Sequence, residues 1–311
     1  MNQDRNKKNP GQKRKPAREN KPAGKVAGKE HPFDKFRKRV PEAAGRFAGK
    51  SGVKGTVTYR RKGRGAEIKT REPEEIRLNR YIANSGICSR READEYILAG
   101  HVSVNGNTVR ELGTKVRYSD SVRFKGKKLN PEKKVYLLLN KPKDVITTVD
   151  DPYAKRTVMD IVRNACRERI YPVGRLDRNS TGVLLLTNDG ELAKKLTHPS
   201  HKVIKIYQVG LDRALDPADL ERIAGGIELD DGPVKVDEIS WTDESDRSKV
   251  GIQLHSGRNR IVRRIFRHFD YKVVKLDRIF FGGLTKKNLP RGKFRFLNEK
   301  EVYKLKMNIF H

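Results

Sequence analysis

The segment at residues 174–182, GRLDRNSTG, presents one carboxylate between two basic side chains. Asp177 lies between Arg175 and Arg178, and a glycine stands at each end of the segment. A carboxylate can act as a nucleophile or as a base toward a bound substrate, but an Asp beside arginines is also a common structural ion pair. The spacing of these residues alone does not separate the two interpretations.

Apolar segments flank this loop on both sides. RIYPV before it predicts a strand, and VLLLTND after it predicts a fully buried strand because its apolar run is continuous. Asp189 then predicts the N-cap of a helix, GELAKKL, that ends before Pro199. We therefore expect Asp177 to lie at the mouth of a core strand, where loops often present functional groups.

A tyrosine lies in a later segment of the chain. HKVIKIYQV predicts another strand, in which Tyr207 alternates with Ile206. The ring of Tyr207 either faces the core or offers a flat surface on which a nucleic-acid base can pack, and its phenol could take part in a proton transfer.

The segment GRNRIVRRIFRHF combines an apolar stripe with a row of arginines. Helical spacing places Ile261, Val262, Ile265 and Phe269 on one side. The arginines on the other side are Arg260, Arg263, Arg264 and Arg267. A solvated basic face is the ordinary explanation, but without interspersed Glu these arginines gain nothing from helical ion pairs. The pattern therefore favours a track for the phosphates of a polyanion.

The charge of the whole chain indicates a polyanionic partner. Its 311 residues include 70 Lys and Arg against 39 Asp and Glu, a net charge of +31, which a neutral small-molecule enzyme does not need. Residues 1–70 hold 22 of the basic and 6 of the acidic residues, with scattered Pro and Gly and no hydrophobic periodicity. We expect residues 1–73 to be a disordered tail that either solubilises the protein or binds phosphates without sequence preference.

Other classes of site find little support in the sequence. Cys88 and Cys166 show no metal or redox spacing, and His198 and His201 have no companion ligands for zinc. No phosphate-binding loop, dinucleotide motif, export signal or membrane-span length is present. We expect a cytoplasmic protein, monomeric, with no metal and no organic cofactor.

Residues 74–122 predict a small module of two helices and a hairpin. Ile76, Leu78, Tyr81 and Ile82 indicate a short helix that stops at Gly86. Ser89 and Glu92 have the spacing of a capping box for a second helix that ends at Gly100, and Asn105 with Gly106 is typical of a tight type I′ turn. Arginines cluster at and between the helices, at positions 77, 80, 90 and 91.

The order of these elements, and the segment SRREADEYILAGHVSVNG in particular, resembles the small RNA-binding domain named for ribosomal protein S-four. That domain grips structured RNA through its two helices and the adjoining turn. The resemblance implies that Ser89, Arg90, Arg91 and His101 lie near RNA phosphates, and Arg77 belongs to the same basic face.

A Lys-rich joint at 123–134, FKGKKLNPEKK, leads to a larger domain at 135–311. Strand and helix signals alternate irregularly along it, which predicts a mixed α+β fold with a mixed or antiparallel sheet rather than a strict βαβ array. About 175 residues suffice for one hydrophobic core.

The larger domain resembles the RNA pseudouridine synthases, in the branch that contains the ribosomal small-subunit synthase and its large-subunit relatives. GRLDRNSTGVLLLTNDGEL is similar to the signature loop of that family, HKVIKIYQV to its second motif, and LHSGRNRIVRRIFRHFDYKVVKLDRIFFGGL to its third. The resemblance implies an α+β catalytic domain in which Asp177 is the catalytic carboxylate, Tyr207 the active-site tyrosine and Arg263 the basic partner of the Asp. Ile261 departs from the third motif, which often has Gln there.

The implied reaction breaks the C1′–N1 bond of a uridine, rotates the base and forms a C1′–C5 bond. Asp177 serves either as a nucleophile at C1′ or as a base at C2′, and the sequence leaves both routes open. Since these atoms are inaccessible in stacked RNA, the uridine must flip into a pocket. Glycines 174 and 182 are expected to permit close approach of a ribose backbone. The RNA-contacting residues predicted in this domain are Arg175, Arg178, Arg258, Arg260, Arg264 and Arg267.

The expected substrate is a uridine of ribosomal RNA, either free or in a subunit precursor. The segments TVMDIV and YPVGRLD favour the large-subunit (23S) RNA, with small-subunit RNA as the alternative within the family. A non-catalytic RNA-binding assembly factor is the alternative from another class, although Asp177, Tyr207 and Arg263 are all present. A glycosidase would need a second carboxylate opposite the first, and the sequence indicates none.

Overall fold

The computed structural model describes residues 75–149, 153 and 156–309. The segment 1–73, which we expected to be a disordered tail, lies outside the described residues. In the described part of the chain the helices are α1 (Leu78–Asn84), α2 (Arg90–Leu98), α3 (Val158–Val162), α4 (Gly190–Thr197), α5 (Pro217–Gly225), α6 (Ile261–Arg267) and α7 (Glu299–Lys306), with a 3₁₀ turn at Pro199–His201. None of these helices is long and apolar enough to span a membrane.

The strands alternate irregularly with these helices. They are β1 (Glu75–Arg77), β2 (Val102–Val104), β3 (Asn107–Val109), β4 (Lys115–Arg117), β5 (Val122–Phe124), β6 (Lys127–Lys128), β7 (Tyr136–Lys141), β8 (Tyr171–Pro172), β9 (Thr181–Thr187), β10 (Lys205–Leu211), β11 (Ile227–Leu229), β12 (Gly232–Val234), β13 (Glu238–Trp241), β14 (Lys249–Leu254), β15 (Val273–Phe281), β16 (Leu284–Thr285) and β17 (Phe294–Phe296).

The small domain packs α1 and α2 on short strands. The predicted capping box is confirmed: the Ser89 side chain accepts from the Glu92 amide, and the Glu92 carboxylate accepts from the Ser89 amide. The predicted hairpin turn is confirmed as well, because Asn105 and Gly106 both have positive φ, 51° and 92°, between the paired strands β2 and β3.

Two boundaries of the small domain differ from the predicted ones. Ile76 belongs to β1, which pairs with β4, and not to the first helix. The expected joint at 123–134 begins later, since β5 pairs with β6 and Leu129 packs into the core of the small domain. A short polar turn between two paired strands has the same composition as a linker, which explains why the sequence did not distinguish them.

The larger domain is built on a nine-stranded mixed sheet, which confirms the predicted α+β class. Its main path has the order β13–β14–β10–β15–β9–β7–β17, with β8 and β16 attached at the side. All of its pairs are antiparallel except β9 with β15. Strands β7 and β9 are buried along nearly their whole length because side chains pack on both of their faces.

The parallel pair needs a glycine at its closest approach. Gly182 has a φ of 109°, and a β-carbon there would collide with the carbonyl oxygen of Arg278 on β15. We predicted that this glycine makes room for a ribose. The structure corrects this prediction, since the space at Gly182 is filled by a neighbouring strand of the protein.

The two predicted helices of the larger domain are present. Asp189 is the N-cap of α4, and its carboxylate accepts from the amide of Leu192. Helix α6 buries Ile261, Val262 and Ile265 as expected and adds Phe266, while Phe269 is buried beyond the end of the helix. Its apolar stripe fixes which arginines point away from the core.

Candidate active site

Three separate segments of the chain meet at one end of the central strands. Tyr207 lies on β10, which runs between β14 and β15. The loop of Asp177 precedes β9, the parallel neighbour of β15. The segment that joins β14 to α6 carries Arg258 and Arg260 to the same place.

These segments enclose a cleft of about 190 Å³, several times the roughly 30 Å³ of one water molecule. The site residues along its wall come from the loop, the central strands and the start of α6. They are Arg175, Asp177, Lys205, Tyr207, Arg258, Arg260 and Arg278. Apolar side chains such as Leu276 and Phe281 line the rest, so the cleft combines a charged mouth with an apolar wall.

Asp177 forms its ion pairs with arginines that are remote in the chain. Its Oδ2 atom lies 3.5 Å from Nε of Arg263 and 3.6 Å from Nη1 of Arg260. The adjacent Arg175 is exposed, and Arg178 lies 3.9 Å from Asp144 instead. The carboxylate is about one third exposed, so it is held from behind while one side faces the cleft.

Arg263 is the buried member of this group. Its side chain is 16% exposed, and its Nη1 donates to the carbonyl oxygen of Val273 at 2.8 Å. Burial lowers the pKa of this guanidinium, and the charge of Asp177 opposes that shift. A guanidinium keeps its proton in proteins, so Arg263 is a fixed positive charge behind the carboxylate.

Lys141, at the end of β7, supports the loop from below. The residue is fully buried, and its Nζ donates to the carbonyl oxygens of Ser180 (2.8 Å), Asp177 (3.1 Å) and Arg178 (3.2 Å). A fourth bond joins it to Pro142. Burial lowers the pKa of Lys141 to about 8. One ammonium group thus fixes three backbone positions around the carboxylate.

Tyr207 is 9% exposed and presents part of its ring to the cleft. Its register partner on β15 is Arg278, so both side chains leave the same face of the sheet. A β-bulge follows at once, because Ile206 pairs with Phe280 and Ile279 is left between the two pairs. Bulges commonly re-aim side chains beside functional sites.

Two of the arginines that we predicted to contact RNA phosphates form contacts within the protein instead. Arg264 donates two hydrogen bonds to Asp231, at 2.6 and 2.8 Å, and Arg258 contacts Asp231 and the backbone of Gly232 and Pro233. This pairing lowers the pKa of Asp231 to about 2. Of the six arginines predicted in this domain, Arg175 and Arg267 are exposed without a polar partner among the described residues.

Most of the residues that we predicted to contact RNA on the small domain are exposed. Arg77, Arg90, Arg91 and His101 are exposed, which leaves them available to RNA. Ser89 differs, because its hydroxyl is engaged in the capping box of α2. The hydroxyl of Ser89 therefore fixes the start of α2.

Three basic residues at the site were not predicted from the sequence: Lys141, Lys205 and Arg278. Each stands in an otherwise apolar strand, in the segments VYLLLNKP, IKIY and VVKLDRIFF. A Lys or Arg at a strand position that is expected to be buried is the feature of the sequence that could have identified them.

Comparison with known proteins agrees with this geometry. A family model described as RNA pseudouridylate synthase matches residues 135–268, and one described as S4 domain matches residues 76–122. An uncharacterized RNA pseudouridine synthase of Aquifex aeolicus is 40% identical over 74% of this chain and 94% of its own length. The ribosomal large subunit pseudouridine synthase B of Bacillus subtilis is 41% identical over 74% of this chain and 95% of its own.

A solved structure gives the same result for the fold. A crystal structure of a pseudouridylate synthase aligns with a TM-score of 0.54 and 28% identity, covering 74% of this chain and 99% of that chain. The similarity to these proteins thus extends over both described domains. The chain belongs to the RNA pseudouridine synthase family and carries an S4 domain before its catalytic domain.

Proposed function

We propose that this protein converts a uridine of ribosomal RNA to pseudouridine, and that its substrate is the large-subunit (23S) RNA. The observation that carries the proposal is Asp177, held by Arg260 and Arg263 at a cleft that Tyr207 also lines. The name of the Bacillus subtilis relative supports the choice of subunit. The S4 domain and the net charge of +31 support RNA as the partner.

Asp177 is the catalytic carboxylate in this proposal. The C1′–N1 bond breaks while Asp177 attacks C1′ or removes the proton at C2′, and both routes need the carboxylate form. Arg263 and Arg260 orient it, and Lys141 fixes the backbone that carries it. The freed base turns and C5 bonds to C1′, while Asp177 either leaves C1′ or returns the proton to C2′. The C5 proton then leaves and N1 gains a proton, so the composition of the RNA is unchanged.

Tyr207 packs against the flipped base and accepts or relays the proton from C5. Its ring faces the cleft, and its hydroxyl makes no hydrogen bond with another described residue, which leaves it available to a substrate. A flipped uridine reaches it because the cleft opens beside the Asp177 loop.

RNA phosphates contact the exposed basic residues around the cleft and on the small domain. In the larger domain these residues are Arg175, Arg178, Arg260 and Arg267. Arg258 and Arg264 can contact phosphates only when their ion pairs with Asp231 are broken. On the small domain they are Arg77, Arg90, Arg91 and His101, with Ser89 at the helix terminus. We place the reaction in the cytoplasm, by a monomer acting on free ribosomal RNA or a subunit precursor.

The test is pseudouridine mapping of ribosomal RNA incubated with the purified protein and with two variants. Asp177→Asn removes the catalytic charge, and Asp144→Asn is the matched control because that carboxylate is exposed on a neighbouring loop. Large-subunit and small-subunit RNA are supplied separately, each as free RNA and as precursor particles.

We expect a new pseudouridine in large-subunit RNA with the intact protein and with Asp144→Asn, and none with Asp177→Asn. Modification of small-subunit RNA alone would overturn the choice of subunit. If the intact protein and Asp177→Asn bind all of these RNAs equally and neither modifies any, the assembly-factor alternative replaces the enzyme.

A further inference from the structure

Arg278 is a buried cation whose hydrogen-bonding capacity is left partly unused at the cleft. Its residue is 3% exposed and lines the cleft. Its Nε donates to the carbonyl oxygen of Val183 at 2.8 Å, while its buried Nη2 has no hydrogen-bond partner. Buried donors are nearly always satisfied, so an unused donor on a residue that lines a cleft indicates a missing acceptor.

The bulge in β15 fixes the position of this guanidinium. Because Ile279 is the extra residue, Arg278 and Phe281 both face the cleft, and the guanidinium carbon lies 4.6 Å from the centre of the Phe281 ring. Arg278 thus stacks on that ring, next to its register partner Tyr207 on β10. All three residues line the cleft that a flipped base would enter.

No carboxylate among the described residues forms an ion pair with Arg278. Asp277, its neighbour in sequence, pairs with Lys286 and with Arg291 at 2.9 Å. Asp177 is taken by Arg260 and Arg263.

A second cation stands close by, since Lys205 lines the same cleft. Its Nζ donates to the carbonyl oxygens of Val203 and His255, and it too forms no ion pair within the described ranges. Burial and the charge of Arg278 lower the pKa of Lys205 to about 8. The cleft wall therefore carries two cations that form no ion pair with any carboxylate of the described residues.

We propose that the guanidinium of Arg278 donates a hydrogen bond to a carbonyl oxygen of the flipped uracil and stabilises the negative charge that this base acquires. The inference rests on the proposed function and adds a catalytic residue to it. When the C1′–N1 bond breaks, its electron pair stays on N1 and spreads onto O2 and O4 of the ring. That charge is lost again when C5 bonds to C1′ and N1 takes a proton.

A positioned cation is most effective for a charge that exists only during the reaction. Arg278 therefore acts on the cleavage step whichever route Asp177 follows, because both routes release the base as an anion. The neutral uracil gains less from the same contact, so the effect belongs to kcat and only weakly to KM.

The test compares single-turnover rates and KM for the intact protein, Arg278→Gln and Arg278→Lys on a uridine-containing RNA fragment. Each protein is also given the same fragment with 5-fluorouridine at the target, and loss of the nucleoside bond is followed. Fluorine withdraws electrons and stabilises the departing base, which reduces the need for the cation. Lys275→Gln, which removes an exposed cation from the same strand, is the control.

We expect Arg278→Gln to lower kcat by about 10²-fold with KM nearly unchanged, and the loss to be several times smaller with 5-fluorouridine. Arg278→Lys keeps the charge without the planar donor and should fall between, with the same dependence on fluorine. If Arg278→Gln unfolds at a lower temperature than the intact protein in a thermal scan, the comparison of Arg278→Lys with the intact protein decides the test.

Equal losses on both substrates, or a loss confined to KM, would overturn the role of Arg278 and leave the proposed function intact. If the intact protein modifies no ribosomal RNA, the proposed function fails and this inference fails with it.

Discussion

The Nε atom of Arg263 lies 3.5 Å from Oδ2 of Asp177, although an entire half of the catalytic domain separates the two residues in the chain. Arg175 and Arg178, which flank Asp177 in sequence, form no ion pair with it among the described residues. The partner of the carboxylate is therefore chosen by the sheet and by α6, which bring Arg263 in from behind.

Replacing Arg263 tests this arrangement. Arg263→Lys keeps a positive charge but loses the bond to Val273 and the rigid fork, so we expect kcat to fall by about 10- to 100-fold while RNA affinity changes little. Arg263→Gln should fall further. Single-turnover kinetics and filter binding measure the two effects, with Arg163→Gln on the exposed end of α3 as the control. An unchanged kcat in Arg263→Gln would contradict the role assigned to it.

Lys141 should matter for turnover more than for binding. Lys141→Met keeps much of the volume but removes the bonds to three carbonyl oxygens of the loop. Without these bonds the loop no longer holds the Asp177 carboxylate in one position. Because the reaction needs an accurately placed carboxylate, we expect kcat to drop by about 10²-fold. Lys143→Met, at an exposed position nearby, is the control. A Lys141→Met protein with full kcat would show that the loop holds its position without the lysine.

Asp231 pairs with two arginines that we predict to contact RNA. In Asp231→Asn, Arg258 and Arg264 lose their carboxylate partner and become available to phosphates. We expect tighter RNA binding at low salt and a dependence of log Kd on log salt that is steeper by up to about 1.4. Glu111→Gln removes the same charge from an exposed position without freeing an arginine. Identical salt dependence in the two variants would count against the prediction.

Lys205 should make stability depend on pH. Its pKa is about 8 in the folded chain and 10.5 as its ordinary value, so between these pH values the unfolded chain binds more protons. The free energy of unfolding therefore rises with pH across this window, by something on the order of 2 kcal/mol from this group. Below pH 8 both states hold the proton and the contribution is constant.

Urea unfolding of the intact protein and of Lys205→Met at the two ends of this window measures the effect. Other titrating groups act in both proteins, so the difference between the two curves isolates Lys205. Parallel curves would show that the amine keeps its proton throughout.

Local rules predicted the parts of the fold that local geometry decides. Ser89 with Glu92, and Asn105 with Gly106, specify a helix start and a turn from a few adjacent residues, and both are present. For Gly182 we predicted a close approach of a ribose, whereas the structure has β15 there. The sequence did not indicate this neighbour because β15 comes from far along the chain.

The site was predictable only as far as its motifs extended. The cleft does bring Asp177 and Tyr207 together beside Arg260, with Arg263 behind the carboxylate. The contacts of Arg264 with Asp231 and of Lys141 with the loop join residues from different elements, and no spacing in the sequence encodes them. A bulge that adds one residue to β15 is equally invisible in the alternation of apolar residues.

The parallel pairing of β9 with β15 also determines when activity can begin. During synthesis the Asp177 loop and Tyr207 leave the ribosome well before Val273–Phe281, the strand that must insert between β9 and β10. Until that strand is in place, a nascent chain lacks one wall of the cleft, and nothing sets the distance between β9 and β10. The candidate active site is therefore complete only after this late strand has closed the sheet.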